Sequence, residues 1–276
     1  MEFIEVKNLG RGSHGVVELV KMTKPVPMLL AVKSSPSPSS SLQKEFRILP
    51  QFLGLPNIVQ CHGALFSSKY DKLFLEYASG RSLKDLIKKY GGKIPEPDVR
   101  HYTAMILQGL FYIHRKGYVH CDIKPHNILV YPSDESCSRS TLKLADFGLA
   151  KEPGERETKV SRGCFRGTAR YMSPESVRLG EITAALDIWS LGCVVVMMMT
   201  GEPPWGSSVT DWYDLEEKIG WSTDTPDIPG DMSAAGKDFL NKCFHRDPRQ
   251  RWTVEKLIWH PFVFQSPLLA VNHLLD

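Results

Sequence analysis

Gly10-Arg11-Gly12-Ser13-His14-Gly15 leads straight into Val16-Val17-Glu18-Leu19-Val20, and this junction limits what the chain can fold into. In a dinucleotide-binding fold the same G-x-G-x-x-G spacing opens a helix. Here a β-branched run follows, so the glycines belong to the turn of a hairpin whose first arm holds Phe3-Ile4-Glu5-Val6. Taken alone the pattern fits an ordinary hairpin turn. It equally fits a turn whose backbone N–H groups approach phosphates, because glycine leaves no side chain in the way.

Met28-Leu29-Leu30-Ala31-Val32-Lys33 makes a third strand, and Ser34 to Ser41 is a polar Ser/Pro stretch. Leu42 to Leu49 then spaces its apolar residues as a helix does. Ile58 to Cys61 and Lys72 to Tyr77 restore strand character before Ala78-Ser79-Gly80 breaks it. Helical patterns dominate afterwards. Ser82 is a good N-cap for the turn that follows, and Val99 to Arg115 carries Ala104, Ile106, Leu107, Leu110, Phe111 and Ile113. The expected architecture is α+β: one domain, 1–276, with a small antiparallel β-rich lobe over about 1–77 that includes one helix. A hinge at about 76–80 leads to a larger, mainly α lobe over about 81–265, and a cleft between the lobes is where a nucleotide would sit.

With 276 residues and 42% hydrophobic content the chain can bury a core of this kind. A net charge of +3, spread along the chain, does not imply nucleic acid. The run Leu191 to Thr200 is about half a membrane span, so it reads as a buried helix and no membrane insertion is expected. Six scattered cysteines without a CxxC pair, and an N-terminus without a secretory apolar core, read as reduced thiols in a cytoplasmic chain, with nuclear presence left open. A monomer or transient dimer is expected.

The chemistry is concentrated in His120-Cys121-Asp122-Ile123-Lys124-Pro125-His126-Asn127, followed nineteen residues after Asn127 by Asp146-Phe147-Gly148. Asp122 can accept a hydroxyl proton, Lys124 can reach a transferring phosphoryl group, and Asn127 and Asp146 can hold metal ions. Lys33, ending its strand, is placed to bind phosphates, and Glu45 on the following helix is placed to pair with it. Lys44 makes no comparable match.

In this order the motifs resemble a eukaryotic protein kinase domain from Gly10 to about Phe262. The resemblance implies a two-lobed fold with ATP and Mg2+ in the cleft. Gly10, Arg11, Gly12, Ser13 and Gly15 would cover the phosphates, while Val17, Ala31 and Leu129 would pack around the adenine. Leu75 would be the gatekeeper, with Glu76 and Ala78 in the hinge that holds the adenine edge. It further implies an activation segment from Asp146 to Glu175, a buried Glu175–Arg251 tie, and Asp187 bracing the catalytic loop through backbone hydrogen bonds. Lys124 and Gly167-Thr168-Ala169-Arg170-Tyr171 fit kinases acting on serine or threonine, with Thr168 turned toward Asp122 and Lys124.

Several motifs are similar to plant mitogen-activated protein kinase kinase kinases of the MEKK-like group, among them Leu144 to Lys151, Gly167 to Val177 and Met199 to Trp205. The expected protein substrate is then a MAP kinase kinase. The alternatives are another cytoplasmic signalling serine/threonine kinase, or a pseudokinase scaffold, which would be free to lose any of Lys33, Asp122, Asn127 and Asp146. One residue departs from the family pattern. Cys121 stands where most of these kinases carry an arginine able to grip an activation-segment phosphate. Activity is therefore expected not to depend on such a phosphate. Thr158, Ser161 and Thr168 remain candidates for modification, with Arg162, Arg166 or Arg170 as receivers. Cys121 itself reads as a packed small residue, with a redox thiol as the other reading.

Overall fold

The computed structural model describes residues 2–12, 15–24, 27–133, 139–155, 165–207 and 211–264. Ser13, Thr158, Ser161 and Arg162 lie outside the described residues.

The first lobe is an antiparallel sheet of β1 (Glu2–Gly12), β2 (Gly15–Lys24), β3 (Met28–Pro36), β4 (Cys61–Phe66) and β5 (Tyr70–Glu76) in the order β1-β2-β3-β5-β4. The glycine hairpin joins β1 and β2, with Gly12 opposite Gly15. Gly15 has φ +123°, and a Cβ there would lie 2.0 Å from the Ser34 carbonyl oxygen, so only glycine fits. Side chains alternate between the two faces. Val17 opposite Lys33 and Ala31 opposite Leu75 therefore share the face toward the cleft, while Val20, Leu30, Val32 and Phe74 form a separate apolar cluster on the other.

Helix α1 (Ser40–Ile48) is capped by the Ser39 hydroxyl, which accepts from the Leu42 N–H. It buries Leu42, Glu45 and Ile48, three residues apart on one face. A tight turn over Leu49–Phe52 continues it. The larger lobe holds α2 (Leu83–Lys89), α3 (Glu96–Arg115), the ribbon β6 (Ile128–Tyr131) and β7 (Thr141–Leu144), α4 (Pro174–Leu179), α5 (Ala184–Thr200), α6 (Trp212–Glu216) and α7 (Ala234–Cys243). Two shorter helices, α8 (Val254–Leu257) and α9 (Pro261–Phe264), follow. Helix α5 is buried without a break from Leu186 to Met199, which accounts for its unbroken apolar run. None of the described helices is long and apolar enough to cross a membrane.

Three local expectations change. Strand β3 extends beyond Lys33 to Pro36, because Ser34, Ser35 and Pro36 pair with Lys72, Asp71 and Tyr70. The helix begins at Ser40, inside the stretch expected to be loop. Of Ile58 to Cys61 only Cys61 belongs to β4; Ile58 pairs with Leu144 in a single parallel bridge, through Val59 N–H to Leu144 O (2.9 Å) and Leu144 N–H to Asn57 O (2.9 Å), which buries Ile58 and Val59 against β7. Between β5 and α2, Gly80 N–H donates to Val130 O (3.0 Å) and Val130 N–H to Arg81 O (2.9 Å), which ties the linker to the β-ribbon. Ser82 and Asp85 close a reciprocal capping box at the start of α2.

Candidate active site

A cleft of about 760 Å³ opens between the sheet and the helical lobe. Its roof is the glycine hairpin, where a Cβ on Gly10 or Gly12 would meet nothing within 4 Å. Arg11, Gly15, Val17 and Ala31 from the sheet, Leu75, Glu76 and Ala78 from the linker, and Leu129 from β6 complete its walls. Glu76 contributes through its main chain. Its carboxylate is turned aside, taking both short bonds from Lys143 (2.8 Å each) and one from Gln60 N–H (2.8 Å).

Lys33 is the pivot at the back of the cleft. Its ammonium lies 2.8 Å from Glu45 and 2.8 Å from Asp146. The Lys33 and Glu45 side chains are only 10% and 1% exposed, so water contributes little to either charge. Burial alone would lower the lysine's pKa; the Glu45 and Asp146 carboxylates outweigh it and raise it above the ordinary value. Glu45 also accepts from Phe147 N–H (3.2 Å). Asp146 sits at φ 67°, a left-handed conformation that aims its carboxylate into the cleft.

Phe147 is fully buried, stacked on Phe52 at 5.8 Å and packed on His120 at 4.8 Å. His120 in turn meets the Ala145 carbonyl through Nε2 (3.1 Å) and accepts from Asp122 N–H at Nδ1 (3.3 Å). The turn that continues α1 and the catalytic loop are thus joined through one aromatic ring.

Around Asp122 the bonds are short. Thr168 Oγ1 donates to Oδ1 (2.6 Å), Lys124 Nζ to Oδ2 (2.7 Å), and Asn127 Nδ2 to Oδ2 (2.8 Å) and to the Asp122 carbonyl (2.9 Å). Lys124 also donates to Thr168 Oγ1 (2.7 Å). A carboxylate held this way can accept a proton from a small hydroxyl, beside a lysine able to meet an anionic group. Asp122 is 4% exposed, covered by the Thr168 and Lys124 that bond to it. Gly167 permits that seat: at φ +122°, a Cβ there would lie 2.6 Å from the Cys121 carbonyl oxygen.

Asp187 lies beneath the loop, accepting from His120 N–H (2.8 Å), Cys121 N–H (2.9 Å) and the His114 ring (2.9 Å). Glu175 and Arg251 form a buried two-pronged pair at 2.7 and 2.9 Å. Cys121 packs with Val119 and Leu186, and burial pushes its thiol up to about 12. That environment suits a packed thiol, since a reactive cysteine needs a low pKa and access.

Sequence reasoning passed over several residues. Arg81, Lys84 and His126 line the cleft; Arg170, already named from the sequence, does so too. Burial, then the nearby Lys84 and Lys124, holds His126 below its usual pKa. The expectation that Arg166 or Arg170 waits for a phosphate does not match the geometry. Arg166 donates to Leu149 O (2.6 Å), Ala150 O (2.8 Å) and Glu155 (2.8 Å), and Arg170 to Pro204 O and Gly206 O. Lys44, set aside on sequence, bonds the same Glu155 at 3.0 Å.

The protein kinase domain family matches residues 3–263. The chain is 38% identical over 274 residues to mitogen-activated protein kinase kinase kinase 20 of Arabidopsis thaliana, covering 95% of this chain and 78% of that protein. It is 39% identical over 277 residues to mitogen-activated protein kinase kinase kinase 3 of the same plant, covering 97% of this chain but 43% of that longer protein. Mitogen-activated protein kinase kinase kinase A of Dictyostelium discoideum is 36% identical over 266 residues, 92% of this chain and 27% of that protein. A chain matched from residue 3 to residue 263 in this way belongs to the protein kinase family, in its serine/threonine branch.

Proposed function

We propose that this chain transfers the γ-phosphate of ATP to serine or threonine in a MAP kinase kinase, as a MAP kinase kinase kinase. The bond set Thr168–Asp122–Lys124 carries the hydroxyl chemistry, and the relatives' names carry the place in the cascade. In this reading Asp122 orients the acceptor hydroxyl and takes its proton. Lys124 neutralises charge on the phosphoryl group, and Lys33, held by Glu45, positions the other phosphates.

The residues fit the nucleotide and its metal. The roof is open where phosphates would lie, apolar Val17, Ala31 and Leu129 face the ring site, and main chain from Glu76 to Ala78 borders it. Among the described residues no three His, Cys, Asp or Glu side chains form a metal cage. Asn127 and Asp146 would hold a cation whose shell is completed by phosphate and water, the mode Mg2+ favours. When bound, the metal offsets negative charge on the phosphates. The chain would act in the cytoplasm, as a monomer or transient dimer.

The test is phosphorylation of a panel of MAP kinase kinases with ATP and Mg2+, comparing the chain with Lys33→Met and Asp146→Asn. Label on activation-loop Ser/Thr that vanishes in both variants is expected. Equal label from all three proteins would sink the assigned roles, and label on other proteins alone would move the chain elsewhere in signalling.

A further inference from the structure

Glu155 joins three pieces of the molecule that the reaction needs in one arrangement. Its Oε2 meets Lys44 of α1 at 3.0 Å and accepts from Glu152 N–H at 3.1 Å, while its Oε1 takes Arg166 Nη1 at 2.8 Å. Lys44 is the immediate neighbour of Glu45, and Arg166 stands two residues before Thr168. The rest of the Arg166 guanidinium is spent on the Leu149 and Ala150 carbonyls, just beyond Asp146-Phe147-Gly148. A parallel tie, Arg47 to Glu152 at 3.0 Å, runs from the next turn of α1 to the same stretch. The three central side chains are only 17%, 22% and 33% exposed for Lys44, Arg166 and Glu155, so the charges are partly shielded from solvent.

We infer that Glu155 is a positioning residue for phosphoryl transfer: its carboxylate clamps α1 to Arg166, so the Lys33–Glu45 pair and the Thr168–Asp122 seat are set together. The inference takes the kinase reading of the cleft as its ground. It also explains how position 121 can be a cysteine. Lys44 and Arg166 both act on the Cys121 thiol electrostatically, and each is already paired with the Glu155 carboxylate of the chain itself. Hydrogen bonds from Arg166, Glu152 N–H and Lys44 overcome burial and hold Glu155 ionised down to about pH 2, so the clamp is present at every physiological pH. No added phosphate is required to close it.

The protein is treated with phosphatase, and kcat and KM for ATP are measured for Glu155→Gln, Lys44→Met and the pair. Glu155→Gln is expected to lower kcat about 10-fold or more, the loss of a charge-assisted bond, while the melting temperature moves by only a few degrees. The double variant should be little worse than Glu155→Gln, since both break one clamp. Amide exchange over 40–48 should quicken about 10-fold in Glu155→Gln, and this arm reads the clamp without turnover. A kcat within twofold of the unsubstituted, phosphatase-treated chain, or unchanged exchange in α1, overturns the clamp. If the unsubstituted chain itself transfers no phosphate to any Ser/Thr protein, the kinase reading fails, and the exchange arm still decides the clamp.

Discussion

Glu45→Gln isolates the charge that holds Lys33. The carboxylate is 1% exposed and 2.8 Å from the ammonium. At the effective dielectric of about 20 that suits protein interiors, unit charges at that distance attract by about 6 kcal/mol. Desolvating both groups takes back several kcal/mol, leaving the roughly 1.5–3 kcal/mol typical of a hydrogen bond to a charged group. Glutamine keeps the side-chain volume and can still accept from Phe147 N–H, and Lys33 keeps Asp146 at 2.8 Å, so the fold has no orphaned charge. The loss therefore falls mainly on the position of Lys33. Steady-state phosphorylation with ATP varied should show kcat/KM reduced about 10- to 150-fold, at about 1.4 kcal/mol per tenfold. Melting should shift by less than about 12 °C, at about 2–4 °C per kcal/mol for a chain of this size. A kcat/KM within twofold of the parent would refute the argument that this pair sets the lysine, as would a loss fully explained by unfolded protein.

Other outcomes follow from the same geometry. Glu175→Ala leaves Arg251 buried at 3% exposure without its carboxylate, and should cost about 3–5 kcal/mol in chemical denaturation. Replacing both partners with leucine and methionine should recover most of that. Gly167→Ala drives a Cβ to 2.6 Å from the Cys121 carbonyl at φ +122°, and should lower kcat at least 10-fold with little change in nucleotide binding; normal kcat would show the seat is not needed. The Cys121 thiol, with its pKa raised from 9.0 to about 12, should resist alkylation at pH 8 in the native protein and react after denaturation. The fold holds that proton more tightly than the unfolded chain does. The contribution is therefore intact below about pH 9 and is lost as pH climbs toward about 12, which pH-dependent denaturation of Cys121→Ser against the parent checks.

Much of the fold was legible locally. β-Branched runs announced the strands that carry Val17, Ala31 and Lys33, and Ser82 announced α2, because strand propensity and capping act within a few residues. The catalytic run was legible for the same reason: Asp122, Lys124 and Asn127 lie within six residues, and their chemistry needs that closeness. Glu45 was reached through its place on the helix, and its pairing could be read because α1 keeps one face inward. Ile58 to Gln60 misled only in extent, since a β-branched buried run looks the same whether it forms a full strand or a single bridge.

The sequence by itself determined that a glycine hairpin runs into a strand, that helices follow beyond residue 80, and which groups could carry phosphoryl transfer. Those are properties of spacing, and spacing survives in one dimension. Only the tertiary structure decided that Lys44 faces Glu155 across 111 positions, that Arg166 is already committed to Leu149, Ala150 and Glu155, and that Cys121 is buried against Val119 and Leu186. Lysine, arginine and glutamate on polar segments carry no periodic signal. Whether they meet depends on how α1 and the segment after Asp146 are packed, and that packing is set by apolar contacts such as Phe147 on Phe52 rather than by the charges themselves.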